Sequence, residues 1–263
     1  MGLMKALLKA DDLAIGYPGK GGGTTVAEDL HFEIERGTLV GLIGSNGAGK
    51  STLLRTLAGL QLPLRGRLEL DGRELTKMTA SELACYRAVV LTERLPPSDL
   101  TVFELVALGR QPYTNWLGKL SKSDIAATED ALALTGAAGL ASKRHYEISD
   151  GQLQKVLIAR AIAQQTPLIF LDEPTTHLDL PHKLALLQLL RKLVTVAGRT
   201  VIFSTHDIEQ ALTVCDAFLV MTSDGLTLSS KEDILQNGVL DALFASSGLR
   251  FDTDRLRFEP RTP

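Results

Sequence analysis

The chain lacks paired cysteines, basic runs and long apolar runs, and each absence removes a class of function. Its two cysteines, Cys85 and Cys215, lie far apart with no paired spacing. That leaves no disulfide framework and no cysteine metal site, suits a reducing compartment, and makes both thiols candidate small core residues. Lysine and arginine total 28 against 31 acids, interspersed, for a net charge of −3. No basic patch marks a nucleic-acid partner, and none is expected. No apolar run approaches the roughly 18 residues that a membrane helix needs, so any membrane role must come through a partner. The first twelve residues are broken by Lys5 and Lys9 and are too short and too charged for a signal peptide; Ala6 stands where a myristoylation site needs Ser or Thr. Internal repeats and low-complexity tracts are absent as well. What remains is a chain of 263 residues, 44% hydrophobic, able to bury a substantial core as one α/β domain or a domain with an inserted lobe.

The most informative stretch is Gly44-Ser45-Asn46-Gly47-Ala48-Gly49-Lys50-Ser51-Thr52, a glycine followed by four free positions and then Gly-Lys-Ser. It lies between an apolar strand-like run at 39–43 and a helical run at 52–57. Glycines let successive N–H groups turn inward, and the helix that follows adds its positive end, which together cradle polyphosphate. In such a loop Lys50 reaches the β- and γ-phosphates and the Ser51 hydroxyl ligates Mg²⁺. The bland alternative, a tight strand-to-helix connection, leaves the Lys and Ser positions without a reason.

Along the chain, 7–17 reads as a first strand running into a glycine-rich loop. A second strand, Leu30-His31-Phe32-Glu33-Ile34, alternates apolar and polar. A third alternating run at 66–72 closes on an Asp-Gly turn, and Val89-Val90-Leu91 is a short buried strand. Between 100 and 139 the periodicity turns helical, at 101–108 and again at 124–134, so 95–150 reads as a helical lobe inserted into a single domain spanning 1–263. A helix at 152–164, a strand at 168–171, a helix at 182–196 and a strand at 200–204 follow, the alternation of a parallel sheet with crossover helices. The last residues, 255–263, read as a solvated tail.

Leu168-Ile169-Phe170-Leu171-Asp172-Glu173 is an apolar strand ending in two acids, which sets carboxylates at the edge of the sheet where phosphates and Mg²⁺ belong. Asp172 is the natural magnesium partner, and Glu173 is placed to orient and deprotonate a water. Alone, the pair is as easily a strand end before Pro174. Ser149, before the long helix, has the N-cap reading open to it, and a lone His206 after a strand is ordinarily a packed or surface histidine.

With Ile148-Ser149-Asp150-Gly151-Gln152, the sequence resembles the ATP-binding cassette (ABC) ATPases, whose signature is Leu-Ser-Gly-Gly-Gln. The resemblance continues through Asp172-Glu173, then Thr176-His177-Leu178-Asp179 as the D-loop and Ser204-Thr205-His206-Asp207 as the histidine switch. It implies a P-loop NTPase core with a parallel sheet, an N-terminal antiparallel β part and the inserted helical lobe, binding ATP and Mg²⁺. It also implies a head-to-tail pair of copies. Ser149, Gly151 and Gln152 of one copy then meet the ATP held by residues 44–52 of the other, and Asp179 links the two sites. His206 joins Lys50 and Glu173 as a catalytic group. Tyr17 matches the aromatic that stacks on adenine, against the alternative of a tyrosine packing on the domain surface.

Two positions depart from that pattern. Glu93 takes the place of a glutamine expected among the ATP and metal ligands, and Asp150 replaces the first glycine of the signature. Each adds charge near the phosphates, so Glu93→Gln and Asp150→Gly are expected to keep or raise ATPase activity. The segment 108–118, with Tyr113 and Trp116, is similar to that of the ATPases of iron-siderophore, haem and cobalamin importers. That likeness implies integral membrane permease subunits as partners, a substrate-binding protein indirectly, and a peripheral place on the cytoplasmic face of the cell membrane. An exporter ATPase and a soluble ABC protein acting on nucleic acid or the ribosome are the alternatives.

Overall fold

The computed structural model describes residues 6–19, 23–92, 95–96, 98–115, 118–176, 178–222, 225–244 and 248–260. Its central element is a six-stranded sheet in the order β10-β9-β3-β8-β7-β6. These strands are β3 (Leu39–Gly44), β6 (Arg87–Val90), β7 (Leu168–Leu171), β8 (Thr200–Ser204), β9 (Ala217–Thr222) and β10 (Gly225–Ser230). All neighbours run parallel except β10, which pairs antiparallel with β9 at one edge. The middle strands are apolar at nearly every position because both faces are covered. Leu39, Ile43, Ile169, Leu171, Val201 and Phe203 feed one core, while Val40, Leu42, Leu168, Phe170 and Ile202 feed the other.

Over the second face lies the antiparallel sheet β2-β1-β4-β5, made of β1 (Ala6–Tyr17), β2 (Thr24–Glu35), β4 (Arg65–Leu70) and β5 (Arg73–Glu74). Helix α1 (Lys50–Leu57) contributes Leu53, Leu54 and Leu57 to the core on that face. The Asp71-Gly72 turn between β4 and β5 has both residues at positive φ, 54° and 74°, as a two-residue hairpin loop with right-handed strand twist requires. Helix α2 (Ala80–Tyr86) leads into β6.

The helical lobe is built by α3 (Val102–Ala107), α4 (Lys122–Leu134) and α5 (Asp150–Ala163). Each starts on a capping box, Thr101 with Glu104, Ser121 with Asp124, and Ser149 with Gln152. Caps of this kind stabilise a helix by about 1 kcal/mol, which matters for a segment as short as α3. Helix α5 is apolar on two faces: Val156, Ala159 and Ala163 join the lobe core, whereas Leu157, Ile158 and Ala161 join the sheet core. Helices α6 (Leu180–Thr195), α7 (Ile208–Val214), α8 (Lys231–Gln236) and α9 (Val239–Leu243) complete the first face. Cys215 is buried, which pushes its thiol up in pKa, and Cys85 is half-buried; neither is oxidised.

Two expectations need correcting. The second strand is longer than its alternating centre, starting at Thr24 where it pairs with Tyr17. The C-terminal segment is not a solvated tail: β12 (Arg257–Pro260) pairs antiparallel with β11 (Leu249–Asp252). Aromatic packing holds it, since Phe258 sits edge-on to Phe244 at 4.5 Å and to Phe251 at 4.9 Å, and its N–H donates to Glu209 Oε1. Trp116, in the segment tied to importers, lies outside the described residues.

Within the lobe, Arg110 and Asp124 form a buried ion pair at 2.9 Å. The guanidinium also donates to the Ala163 carbonyl at 2.7 Å and stacks over the Tyr113 ring at 4.2 Å. Asp124 accepts from the Ser121 hydroxyl and N–H as well as from Arg110, which together hold its carboxyl down at about 2. Removing one partner strands the other in the interior, so Arg110→Met should cost on the order of 3 kcal/mol, read as a lowered Tm. Because Asp124 is depressed in the fold, its contribution is full above the ordinary carboxylate value near pH ~4 and fades as pH falls toward about 2. The Tm gap between wild type and Asp124→Asn should therefore be wide at pH 6 and narrow below pH ~3.

Candidate functional site

Strands β3, β8 and β7 are neighbours in the sheet, so their carboxyl ends open on one edge. The end of β3 delivers the loop 44–49 and α1, the end of β7 delivers Asp172 and Glu173, and the end of β8 delivers Ser204, Thr205 and His206. The loop needs its glycines for stated reasons. Gly49 sits at φ 102°, and a Cβ there would meet Val26 Cγ1 at 2.2 Å; a Cβ at Gly44 would meet the Met221 carbonyl at 2.4 Å. Both contacts come from strands flanking the loop, which press it into shape.

Lys50 is buried, 6% exposed, with Nζ donating to the carbonyls of Gly44 at 2.9 Å and Ser45 at 3.1 Å. Burial lowers its pKa, opposed by the charges of Glu173 and Asp172. Ser51 Oγ lies 3.4 Å from Asp172 Oδ1, and Thr92 Oγ1 lies 3.5 Å from Oδ2. Asp172 is only 3% exposed, and its firmest partner is Ser204 Oγ, which donates at 2.7 Å. The same Ser204 oxygen accepts the N–H of Glu173 at 2.8 Å. Two adjacent residues just past β7 are thus tied to one hydroxyl of β8.

Glu173 has φ 46°, in the left-handed region that a glutamate enters at a cost of about 1 kcal/mol. That turn separates its carboxylate from that of Asp172. His206 Nε2–H donates to Glu173 Oε1 at 2.6 Å, and Thr176 Oγ1 donates to Oε2 at 3.3 Å. Behind it, Asp207 accepts from Lys183 Nζ at 2.8 Å and from Thr175 Oγ1 at 3.3 Å, which ties the segment after Glu173 to the segment after His206.

A cavity of about 370 Å³ runs from Ser51, Asp172 and Glu173 to Thr92 and the first turn of α5 at Asp150. The fold therefore assembles Lys50, Ser51, Asp172, Glu173 and His206 from three distant stretches. Tyr17 lies beside them, its hydroxyl 2.8 Å from Thr52 Oγ1 while the residue stays 53% exposed. Ser149, Gly151, Gln152 and Asp179 are not drawn into this cluster. Ser149 is exposed and caps α5, and Asp179 caps α6 and pairs with His182. Glu93 and His177 lie outside the described residues. Ser204 and Thr92 were missed as contributors by reading side-chain chemistry along the chain. Their signal is the strand register, since pairing Leu171 with Phe203 sets Asp172 beside Ser204.

A glycine-rich strand-to-helix loop with a buried lysine, next to a carboxylate held at 3.4 Å from the loop serine, defines a P-loop nucleotide-binding protein. The profile of the ABC transporter family matches residues 27–176. An uncharacterized ABC transporter ATP-binding protein of Methanocaldococcus jannaschii is 38% identical over 239 residues, 90% of this chain and 81% of that protein. The iron(3+)-hydroxamate import ATP-binding protein FhuC of Bacillus subtilis is 41% identical over 204 residues, 78% of this chain and 74% of that protein. Among solved structures, a metal-chelate type ABC transporter in an inward-facing conformation aligns with TM-score 0.79 and 29% identity, covering 92% of this chain and 90% of that one. A dimeric ATP-binding cassette in a post-hydrolysis state with ADP and Pi aligns with TM-score 0.76 and 26% identity, covering 85% and 98%. The chain belongs to the ABC transporter family as an ATP-binding subunit, and it is an ATPase. Among the described residues, no helix is long and apolar enough to cross a membrane.

Replacing the Ser204 hydroxyl leaves the Glu173 N–H without an acceptor and Asp172 without its shortest hydrogen bond. Ser204→Ala should lower stability by about 1–3 kcal/mol in urea unfolding and reduce ATP turnover, whereas Ser204→Thr should recover part of both.

Proposed function

We propose that this chain is the ATP-hydrolysing subunit of a membrane importer for a metal chelate of the iron-siderophore or cobalamin type. Support comes from the relatives, which include siderophore, hydroxamate and cobalamin import subunits, and from the metal-chelate type transporter it resembles in structure. The single observation that carries the hydrolytic reading is the Ser51–Asp172–Ser204–Glu173–His206 chain of contacts at one sheet edge.

In this reading residues 44–52 bind the triphosphate, with Lys50 charge and loop N–H groups meeting its oxygens. Ser51 Oγ and Asp172 offer the hard oxygen donors that would hold Mg²⁺, which when bound would neutralise charge on the phosphates. Glu173 receives a proton from the attacking water as that oxygen bonds to the γ-phosphorus; the bond to the bridging oxygen breaks, leaving ADP and phosphate. His206 holds Oε1 at 2.6 Å and Thr176 holds Oε2 only at 3.3 Å, so Oε2 is the freer oxygen to face the water. Tyr17, with an exposed ring and a tethered hydroxyl, is placed to stack on adenine.

Ser149, Gly151, Gln152 and Asp179 serve the opposite copy: Ser149, Gln152 and Asp179 are exposed and Gly151 is partly so, which fits a head-to-tail pair that encloses two nucleotides. The groove between the core and the 95–150 lobe receives the permease, which holds the subunit at the cytoplasmic face of the membrane.

Glu173→Gln should bind ATP, lower turnover at least about a hundredfold, and accumulate as an ATP-locked dimer by light scattering. Retained turnover in that variant would remove Glu173 as the base. A monomer at saturating ATP would remove the shared site.

A further inference from the structure

The helix that follows His206 is weakly started. Helix α7 has seven residues, and Asp207 stands at its N-cap without a side-chain hydrogen bond to the helix. That carboxylate goes instead to Lys183 at 2.8 Å and to Thr175 at 3.3 Å. A helix of two turns gains little from its own backbone bonds and takes its stability from what it packs against. On its inner side Ile208, Ala211 and Leu212 enter the sheet core, while Glu209 in the first turn and His206 just before it are exposed.

The C-terminal hairpin meets that first turn. Phe258 N–H, on β12, donates to Glu209 Oε1 at 2.8 Å. A cavity of about 240 Å³ is lined by His206, Asp207, Glu209 and Gln210 from the α7 segment and by Phe244 and Phe258 from the C-terminal one. Phe258 is itself held, edge-on to Phe244 and to Phe251, and Phe251 belongs to the same buried core that α7 enters. The start of α7 is thus gripped from two directions, by Lys183 through Asp207 and by β12 through Glu209. The grip matters because of what lies before it: among the described residues, the ring of His206 makes one hydrogen bond, the 2.6 Å contact with Glu173 Oε1.

We propose that Phe258 and Glu209 are positioning residues for ATP hydrolysis. The C-terminal hairpin sets the first turn of α7 and, through it, the distance from His206 to Glu173. Neither residue touches nucleotide. The inference rests on the roles of Glu173 and His206 proposed above and adds the element that holds the histidine in place. A displacement of about 1 Å at a reacting group can lower turnover by up to about a hundredfold, so a support two elements away is felt at the site.

The test uses the full chain, with steady-state ATPase kinetics and NMR of isotope-labelled histidine, in which His206→Gln assigns the signal among the five histidines. Phe258→Ala should lower kcat about tenfold and Glu209→Ala about threefold, each with the KM for ATP within about twofold of wild type. Phe258→Leu and Glu209→Gln, which keep an apolar side chain and an acceptor oxygen, should recover most of the loss. In both alanine variants the ring-nitrogen signals of His206 should move toward their positions in Glu173→Gln, while those of His31 and His145 stay. A role confined to stability would lower Tm without moving that signal or separating kcat from KM. An unmoved His206 signal in Glu209→Ala would overturn the inference whatever the turnover, and whether or not Phe258→Ala folds. Full turnover in His206→Ala would instead overturn the hydrolytic reading, and the inference with it.

Discussion

The site depends on the register of three parallel strands. Leu42 pairs with Ser204 and Leu171 with Phe203, so β7 ends one residue short of β8 and β3 runs two residues beyond it to Gly44. A slip of one residue in β7 would exchange Leu171 for Asp172 on the core face and carry the carboxylate away from Ser51. That slip is prevented by burial on both faces, where Phe170 and Phe203 are fully enclosed on opposite sides of the sheet. Apolar packing deep in the sheet therefore fixes the placement of polar groups at its edge.

Electrostatics at that edge are balanced rather than saturated. Lys50 uses two of its three N–H donors on the carbonyls of Gly44 and Ser45, leaving one for an incoming oxygen. Asp172 and Glu173, adjacent in sequence, would repel if both faced the loop; the left-handed turn at Glu173 sends its carboxylate to His206 instead. The strain of that turn is offset by the Ser204 and Thr176 hydrogen bonds on either side of it.

Much of this was legible along the chain, because the chemistry is concentrated in contiguous motifs. The loop 44–52, the acids at the end of β7 and the histidine at the end of β8 each sit where an apolar run stops. The core strands were readable for the same reason. Less visible were contributions that exist only across strands: Ser204 as the bridge between Asp172 and Glu173, and Val26 and Met221 pressing on the phosphate loop. The C-terminal hairpin was misjudged because its charged residues 255, 257 and 259 hide the one that matters, Phe258, whose partners lie at 244 and 251. Short helices such as α2 carry too little periodicity to stand out, and their capping boxes are clearer in the structure than in the sequence.

Helix α5 runs from the cavity at the sheet edge, which Asp150 lines, to the groove between core and lobe, which Arg160 lines. It is 14 residues long, which at ~1.5 Å per residue spans about 21 Å. At its start Ser149 is exposed and caps the helix, and near its end Arg160 lines that groove. Because α5 packs into the sheet core with Leu157, Ile158 and Ala161 and into the lobe core with Val156, Ala159 and Ala163, it moves only if one of those interfaces gives. The lobe interface is the smaller and is built largely of alanine and valine, so of the two it holds α5 less firmly. A helix held in both cores fixes Ser149 at one end relative to Arg160 at the other.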